Sequence, residues 1–359
     1  IDLNLEYLFG KPPKTILKDE TIKTNYGDID YTIEKINEYL ENVLQLEAVA
    51  CKDWLTNKVD RSVTGKVAMQ QCAGKVQLPL NNLGVVAIDY KGEKGIATAI
   101  GHAPANALVD PANGSVISIA ESLTNIIWAP IKNGLKGISL SANWMWPSKN
   151  TGEDARLYKA VQAVSDFACK LGINIPTGKD SLSMTQKYPG GDVVYSPGTV
   201  IISAVGEVSD IKKAVSPVLK NNNNTSLIYL DFSNDEYKLG GSSFAQSINK
   251  LGNSSPTITD AGYFAKAFNV IQQLISDKKI LSGHDISAGG IITALLEMTF
   301  GNNETGLNID LTAINENDTI KLLFSENPGI LIQVADDDKI SDFLENNQIK
   351  FFEIGKLNN

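Results

Sequence analysis

Apolar and polar positions follow two patterns along the chain, one typical of helices and one typical of strands. A helical spacing of three or four residues recurs within 29–46, 116–128, 157–171, 263–275, 320–324 and 340–346, and each stretch is predicted to be a helix. Short runs rich in β-branched residues lie at 85–89, 95–101, 137–141, 199–205, 227–230, 306–311, 329–334 and 349–354, and these are predicted to be strands. Strands and helices that alternate in this way are typical of an α/β fold.

A polar run at 218–225, between two apolar strands, marks the predicted boundary between two domains. Residues 1–46 are predicted to be a linker and a docking helix, residues 47–215 an N-terminal domain, and residues 222–359 a C-terminal α/β domain. The length of 359 residues fits two domains. A spacer is predicted at 11–14 and an acidic helix start at 336–338.

Composition and charge exclude several classes of function. The chain is 43% hydrophobic and 20% charged, as in soluble globular proteins, and no apolar run approaches the ~20 residues that span a bilayer. A net charge of −9 argues against a nucleic-acid surface. The 3 cysteines form no CxxC pair, which predicts reduced thiols and a cytoplasmic location. The chain begins at Ile1 without an initiator methionine, so we expect a piece of a longer protein.

The stretch 280–298 carries the first candidate chemistry. An apolar run leads into a predicted turn at 282–285, then into Gly289-Gly290 and an apolar helix. The start of a helix attracts anions because its first N–H groups have no partners within the helix. Asp285 would repel a phosphate unless a divalent cation lay between them, which indicates a Mg²⁺–nucleotide loop. The alternative is an ordinary helix with Asp285 as its N-cap.

Two further stretches offer groups of the same kind. Glu121 and Asn125 lie four residues apart, so they share one helix face and offer two oxygen ligands to a hard cation. The alternative is a solvated Glu/Asn pair. The loop predicted at 178–181 combines glycine, lysine and serine, which suits a phosphate contact. It lacks the glycine-rich approach of a Walker A motif, and an ordinary surface turn is its alternative.

Five motifs in a fixed order make the sequence recognisable. They are Thr56-Asn-Lys-Val-Asp-Arg-Ser-Val-Thr-Gly65, Glu121-Ser-Leu-Thr-Asn125, Ser141-Ala-Asn-Trp-Met-Trp146, Gly178-Lys-Asp-Ser-Leu-Ser-Met184 and Gly283-His-Asp-Ile-Ser-Ala-Gly-Gly290. Together they resemble the family of large, single-chain phosphoribosylformylglycinamidine synthases. The resemblance runs from about Leu5 to the last strand, and it matches the second half of the synthetase region of that family.

The resemblance implies a fold and a reaction. In that family the synthetase region is a tandem of two units like aminoimidazole ribonucleotide synthetase, each with a barrel-forming N-terminal sheet domain followed by a C-terminal α/β domain. The family converts formylglycinamide ribonucleotide, ATP and glutamine to formylglycinamidine ribonucleotide in purine biosynthesis. ATP activates the substrate amide oxygen, and Mg²⁺ and lysines offset the charge of the transferring group. A second nucleotide, a structural ADP with Mg²⁺, is held at the pseudo-symmetric site.

The resemblance also implies site residues. Four residues are expected to supply oxygen ligands to Mg²⁺: Glu121, Asn125, Asp285 and Asn82. Four others are expected to contact the nucleotide: Lys52, Asn81, Ser287 and Asn143. Lys179 and Ser181 are expected to be catalytic, through contact with the phosphate of ATP or substrate. The chain departs from the family at Asn82 and Ala288, where relatives carry an aspartate, and both departures lower the acidity of the metal site.

Three hypotheses follow. In the first, the chain is a fragment of the ligase, inactive alone, whose partners are the missing first synthetase half and the glutaminase domain. In the second, it is a free-standing relative such as aminoimidazole ribonucleotide synthetase; the match to a second half argues against this. In the third, it is a non-catalytic scaffold with a vestigial nucleotide site, which the neutral Asn82 keeps open. No nucleic acid or membrane is expected as a partner, and the oligomeric state is left open.

Overall fold

Each of the two parts of the fold is built on one β-sheet with helices packed against it. The computed structural model describes residues 2–10, 16, 18, 20–56, 61–302, 305–336 and 339–358. None of the described helices is long and apolar enough to cross a membrane. The spacer predicted at 11–14 and positions 337–338 of the acidic run lie outside the described residues.

The strands and helices are numbered in chain order. The strands are β1 (Val67–Met69), β2 (Gly84–Ala87), β3 (Gly95–Gly101), β4 (Ile138–Met145), β5 (Asn174–Ser181), β6 (Thr185–Lys187), β7 (Val193–Tyr195), β8 (Thr199–Val208), β9 (Thr225–Asp231), β10 (Ile280–Ile286), β11 (Gly306–Ile309), β12 (Gly329–Ala335) and β13 (Phe351–Asn358). The helices are α1 (Leu5–Phe9), α2 (Ile36–Gln45), α3 (Asp53–Thr56), α4 (Pro104–Val109), α5 (Pro111–Ile126), α6 (Glu153–Leu171), α7 (Ser243–Ser247), α8 (Ala261–Ser276), α9 (Gly290–Phe300), α10 (Thr319–Phe324) and α11 (Ile340–Asn346).

The first sheet has six strands in the order β1-β2-β3-β8-β4-β5. All neighbouring strands are antiparallel except β4 and β5, which run parallel. Helix α5 packs on β3 and β8 and covers one face of the sheet, with α6 beside it. The other face is open, and its residues Ile96 and Ile100 of β3 are 45% and 57% exposed. An open sheet face normally carries polar residues, so this face is more apolar than an ordinary solvent-exposed face.

The second sheet has five strands in the order β10-β12-β9-β13-β11, and all of its pairs are antiparallel. Helices lie on both faces: Phe268 of α8 and Leu344 of α11 belong to one apolar cluster, and Leu295 and Met298 of α9 belong to another. The central strands β9 and β12 are therefore buried along almost their whole length.

The segment before the first sheet reaches across to the second sheet's helices. Tyr39 of α2 packs edge-on against Phe244 of α7, with ring centroids 5.1 Å apart. The hydroxyl of Tyr31 donates a hydrogen bond of 2.5 Å to the carboxylate of Asp318. The helix predicted within 29–46 is thus present and docked on the C-terminal region.

Helix α5 starts earlier than its apolar spacing predicts. The spacing begins at 116, whereas the helix begins at Pro111. The carboxylate of Asp110 accepts the N–H groups of Ala112 and Asn113 at 2.8 and 2.9 Å. This cap, with proline at the first helical position, extends the helix through a polar first turn that carries no apolar signal.

Two predicted turns are strands. The turn predicted at 282–285 belongs to β10, where Asp285 pairs with Ile330 of β12. The loop predicted at 178–181 belongs to β5, where Lys179 pairs with Asn143 of β4. In both cases backbone pairing with a neighbouring strand overrides a local sequence of small and polar residues.

Asp336, the described member of the acidic run after β12, is not the N-cap of the next helix, since the N-cap of α11 is Lys339. Its carboxylate instead accepts hydrogen bonds from the Ser226 hydroxyl and the Lys356 ammonium at 2.7 and 3.0 Å. It therefore fastens β12 to β9 and β13.

The two regions meet where α5 ends. Trp128 is fully buried, and its ring lies so close to Gly283 of β10 that a Cβ there would approach it to 2.1 Å. The side-chain amide of Gln272, on α8, bonds the backbone of three residues beside Trp128: Ile127, Ala129 and Ile131. A bare glycine and one buried amide therefore set how closely the end of α5 approaches the second sheet.

We predict that Gly283→Ala lowers the free energy of unfolding by roughly 1–3 kcal/mol, because the buried Trp128 ring has no room for a methyl group. The matched control is Gly84→Ala in β2, where the nearest side-chain atom to a new Cβ is Thr98 Oγ1 at 3.6 Å. Urea unfolding of both variants measures the difference. Equal stabilities for the two variants would contradict the packing argument.

Candidate functional site

A cleft of about 510 Å³ lies between the two regions. Its walls come from the segment before α3, from α4 and α5, from the start of α7 and from the loops after β10 and α10. Three of the residues singled out from the sequence line it: Lys52, Glu121 and Ser287. Asp285 lies directly before its wall residue Ile286, at the end of β10.

A close approach of β3 to α5 positions Glu121. A Cβ at Gly101 would lie 2.2 Å from the Ser118 carbonyl oxygen and 2.3 Å from the Ser122 nitrogen, so only glycine allows this contact. The backbone then turns, and the N–H of His102 donates to Glu121 Oε2 at 3.3 Å. Burial and, next in size, the nearby charge of Asp285 together raise the pKa of Glu121 to about 8. Without a cation, Glu121 is therefore largely protonated at neutral pH.

A buried chain of charges holds Asp285. His284 Nδ1 lies 3.2 Å from Asp285 Oδ1, and its Nε2 lies 2.9 Å from Glu297 Oε2. Burial opposes the charged imidazole, but the hydrogen bonds to both carboxylates prevail and raise the pKa of His284 to about 10. The other carboxylate oxygen, Asp285 Oδ2, is buried without a hydrogen-bond partner among the described residues. His284 therefore holds Asp285 through one carboxylate oxygen only.

Glu326 ties two loops of the cleft together. Its Oε1 accepts the N–H of Ser243, at the start of α7, and the N–H of Gly289, before α9, each at 2.8 Å. Burial raises the pKa of Glu326, and the two backbone N–H groups counter that rise. Sequence reasoning missed this residue, because a single glutamate in the loop after α10 carries no motif and only the fold brings it to the cleft.

Two other predicted site residues in this region, Asn125 and Lys52, donate hydrogen bonds to backbone carbonyl oxygens. Asn125 lies one helical turn from Glu121, and its Nδ2 donates to the Ile100 carbonyl oxygen at 3.1 Å. The Lys52 ammonium donates to the Ala50 carbonyl oxygen at 3.0 Å.

Asn81 and Asn82 line a second cleft, of about 710 Å³, on the open face of the first sheet. This open-face cleft shares no lining residue with the interdomain cleft. Asn81 Oδ1 and Asn82 Nδ2 are both buried without hydrogen-bond partners in the part of the chain that the structure describes. The structure therefore places Asn82 outside the lining of the cleft that Glu121 faces, and its assignment as a metal ligand stays a prediction.

The residues predicted to be catalytic lie at the β5 edge of the same sheet. The Lys179 ammonium donates to Ser181 Oγ at 2.7 Å, and Lys179 is the parallel-strand neighbour of Asn143. Sheet pairing therefore brings Asn143 and Lys179 together, although they are distant in sequence. They line neither the interdomain cleft nor the open-face cleft.

The donors around Asp285 suit Mg²⁺. No three His, Cys, Asp or Glu side chains in the described ranges are arranged to hold an ion by themselves. Mg²⁺ nevertheless keeps several waters and binds through one or two carboxylates and ligand phosphates. The charge of Asp285 helps raise the pKa of the partly buried Glu121, and Asp285 Oδ2 has no hydrogen-bond partner among the described residues, so a cation there would compensate both carboxylates. The residues present therefore fit a magnesium ion.

Known proteins share this architecture. Residues 51–207 match the family described as FGAR-AT PurM_N-like domain, and residues 233–359 match the C-terminal domain of AIR synthase related proteins. Phosphoribosylformylglycinamidine synthase of Homo sapiens is 38% identical over 94% of this chain and 25% of its own length. The probable phosphoribosylformylglycinamidine synthase of Caenorhabditis elegans is 40% identical over 89% of this chain and 25% of its own length.

Two solved structures have the same fold. Thermotoga maritima PurL complexed with FGAR has a TM-score of 0.60 at 14% identity, over 77% of this chain and 44% of that chain. The same protein complexed with ADP has a TM-score of 0.60 at 12% identity, over 90% of this chain and 47% of that chain.

The chain therefore matches an FGAR-AT PurM_N-like domain followed by an AIR synthase-related C-terminal domain. It is similar to phosphoribosylformylglycinamidine synthase, and it spans about a quarter of the length of those curated relatives. The resemblance and the mixed α/β fold predicted from the sequence are confirmed. The predicted domain bounds and site residues stay predictions.

We predict that Glu121→Gln stabilises the metal-free chain above neutral pH. The pKa of Glu121 is about 8 in the fold, against 4.5 for the model carboxyl, so the native state retains a proton that the unfolded state releases. Wild-type stability should therefore fall, relative to the variant, as pH rises from about 5 to 8, by roughly 2–4 kcal/mol in total.

Unfolding in a chelator-containing buffer at several pH values measures this effect. Glu41→Gln, which replaces an exposed carboxylate on α2, is the control and should show no such window. A difference between Glu121→Gln and wild type that does not change with pH would contradict the electrostatic description of the cleft.

Proposed function

We propose that the chain is part of the synthetase region of a phosphoribosylformylglycinamidine synthase and binds a magnesium–nucleotide complex in its interdomain cleft. The observation that carries the proposal is the partly buried Glu121 near the buried Asp285, whose Oδ2 has no hydrogen-bond partner among the described residues, beside a cleft that Lys52 and Ser287 line. The reaction is the ATP-dependent conversion of formylglycinamide ribonucleotide and glutamine to formylglycinamidine ribonucleotide. The names of the relatives and the ADP and ATP complexes of Thermotoga maritima PurL support it.

In this proposal each side chain has a task. Glu121, Asn125 and Asp285 hold the magnesium ion. When bound, the ion neutralises charge on the nucleotide phosphates. Lys52 and the Ser287 hydroxyl contact the phosphates beside the start of α9. The Glu326 carboxylate keeps the α7 and α9 loops at a fixed separation, since it accepts an N–H from each.

The open face of the first sheet is proposed as the interface with the missing first synthetase half. Exposed apolar residues of β3 and β8 support this assignment: Ile96, Ile100 and Val205 are 45%, 57% and 42% exposed. A second sheet can pack on such an apolar face or pair with such an exposed edge. Lys179 and Ser181 stand at the β5 edge of this sheet, where they would contact the phosphate of ATP or substrate. The glutaminase domain is the proposed source of ammonia.

A second candidate function is a non-catalytic, nucleotide-binding scaffold. Asn82 and Ala288 favour it, because a metal site with fewer carboxylates binds its cation more weakly, as expected of a vestigial nucleotide site. Cys51 and Cys169 are exposed free thiols, which supports a cytoplasmic location for either function.

We predict that this chain binds ADP or ATP in a Mg²⁺-dependent manner. Asp285→Asn and Glu121→Ala should each weaken binding at least about tenfold and remove its Mg²⁺ dependence, because each deletes a charged ligand. Titration calorimetry with and without Mg²⁺ measures both effects. Asp89→Asn, which alters an exposed carboxylate in the β2–β3 turn, is the control.

If both site variants keep wild-type affinity and Mg²⁺ dependence, the assignment of the metal ligands is wrong. If the wild-type chain does not bind alone, adding the first synthetase half distinguishes a composite site from no site. Binding restored by that half would support the proposal, and continued absence of binding would overturn it.

We predict that Lys179→Gln, in the full-length enzyme, lowers kcat at least about tenfold, because a cation near the transferring phosphoryl group stabilises its charge. Nucleotide retention in the interdomain cleft should not change, since Lys179 does not line it. Lys187→Gln, an exposed lysine on β6, is the control. Unchanged turnover by Lys179→Gln would remove this lysine from the catalytic machinery.

A further inference from the structure

The segment before the first sheet crosses the molecule as a strap, defined as residues 22–46. Near its beginning Ile22 lies against the start of α6, since a Cβ at Gly152 would approach the Ile22 side chain to 3.0 Å. The next contact is on the other region, where the N–H of Tyr26 donates to Asn253 Oδ1 at 2.9 Å, in the connection between α7 and α8. The strap therefore contacts both regions before it reaches the interdomain cleft.

An aromatic cluster joins the strap to α7 and α10. The rings of Tyr31 and Tyr39 both lie edge-on to Phe244 of α7, with centroids 5.7 and 5.1 Å away. Phe324 of α10 lies on the same ring, with centroids 5.3 Å apart. Edge-to-face aromatic pairs contribute stability beyond the area that they bury. The two strap tyrosines are therefore the strongest apolar attachment of the strap to the C-terminal region.

A hydrogen bond adds a polar attachment beside this cluster. The Tyr31 hydroxyl donates to Asp318 Oδ2 at 2.5 Å. The other oxygen of the same carboxylate accepts the N–H groups of Ile320 and Lys321 at 3.0 and 3.1 Å, and thereby caps α10. Hydrogen bonds to a charged acceptor are stronger than those between neutral groups. One carboxylate thus holds the strap and the start of α10 together.

The helices that the strap holds carry one wall of the interdomain cleft. Ser243 begins α7 and directly precedes Phe244. Glu326 follows Phe324 by two residues, and its Oε1 accepts the N–H groups of Ser243 and Gly289 at 2.8 Å each. The aromatic cluster therefore adjoins, along both helices, the carboxylate that ties the loops before α7 and α9.

The strap also leads directly into the facing wall. Glu47, Ala48 and Lys52 line the interdomain cleft and follow the strap without an intervening helix or strand. The N–H of Ala50 donates to the Leu46 carbonyl oxygen at 2.7 Å, so this wall turns back on the end of the strap. One segment thus supplies one wall of the cleft and braces the other.

We propose that Tyr31 and Tyr39 are positioning residues for the interdomain cleft, and that release of the strap opens the cleft. The docked strap holds Lys52 in one wall and the Glu326 loop in the other. Its release removes both restraints together and provides a route for a ligand to enter and leave. Because linkage is reciprocal, a ligand that needs both walls favours the docked strap. This last consequence rests on the proposed nucleotide binding, whereas the positioning does not.

Hydrogen exchange without nucleotide, followed by NMR, tests the positioning. Tyr31→Phe removes only the hydroxyl that bonds Asp318, and Tyr39→Leu replaces a buried ring by an apolar side chain. In each variant the amides of Ser243 and Gly289 should exchange at least about fivefold faster, because their opening follows release of the strap. Tyr158→Phe, which alters a tyrosine of α6 that is 64% exposed, is the matched control and should change neither rate.

The amides of α2 and of the buried strand β12 decide what the result means. Faster exchange of α2, Ser243 and Gly289 with unchanged exchange of β12 is the expected pattern. Faster exchange of α2 alone would show that the strap leaves without loosening the cleft, and would overturn the proposal. Equal acceleration of β12 would reduce the effect to a general loss of stability, and would overturn it as well.

A second arm adds Mg²⁺ with a fluorescent ADP analogue, displaced by excess ADP. The bound analogue should slow the exchange of α2 in the wild-type chain, and it should dissociate at least about fivefold faster from Tyr31→Phe, because release of the strap is its exit route. Binding with equal dissociation rates in both proteins would contradict the strap as a gate. Absence of binding, with the amide pattern as expected, would instead count against the proposed function and leave the positioning roles of Tyr31 and Tyr39 supported.

Discussion

The packing of Trp128 against Gly283 is the contact on which the arrangement of the chain depends. It joins the end of α5 to β10 without an intervening side chain, and the Gln272 amide holds the backbone on both sides of the indole. Glu121 lies on the same helix as this contact and Asp285 on the same strand. Because both elements are anchored there, Asp285 lies close enough to Glu121 for its charge to raise the pKa of Glu121.

The fold compensates the charges of Glu121 and Asp285 only in part. His284 compensates one oxygen of Asp285 and pairs with Glu297, but Asp285 Oδ2 stays unpartnered. The pKa of Glu121 rises to about 8 because of burial and of Asp285. A protein gains nothing in stability from such an arrangement. In the proposed function, a divalent cation bound with a polyphosphate would compensate the charges of these two carboxylates.

The chain presents two separate surfaces for chemistry. The interdomain cleft is built by both regions, whereas the open face belongs to the first sheet alone. Lys179 stands on β5, at the edge of that sheet opposite β1. A sheet with two bare edges and an apolar face is incomplete by itself. This incompleteness agrees with a chain that spans about a quarter of the length of its relatives.

Local sequence by itself determined most helices and strands: β3 and α11 have the predicted bounds, and five ordered motifs identified the family. Local patterns sufficed there because side-chain periodicity reports directly which face of an element is buried. They failed where the decisive partner is distant in sequence. Only strand pairing made 178–181 part of β5, and only the fold brought Glu326 to the cleft and left Asn82 on the open face. The tertiary structure decided these positions because hydrogen bonds and charges act between neighbours in space, which the order of residues along the chain does not specify.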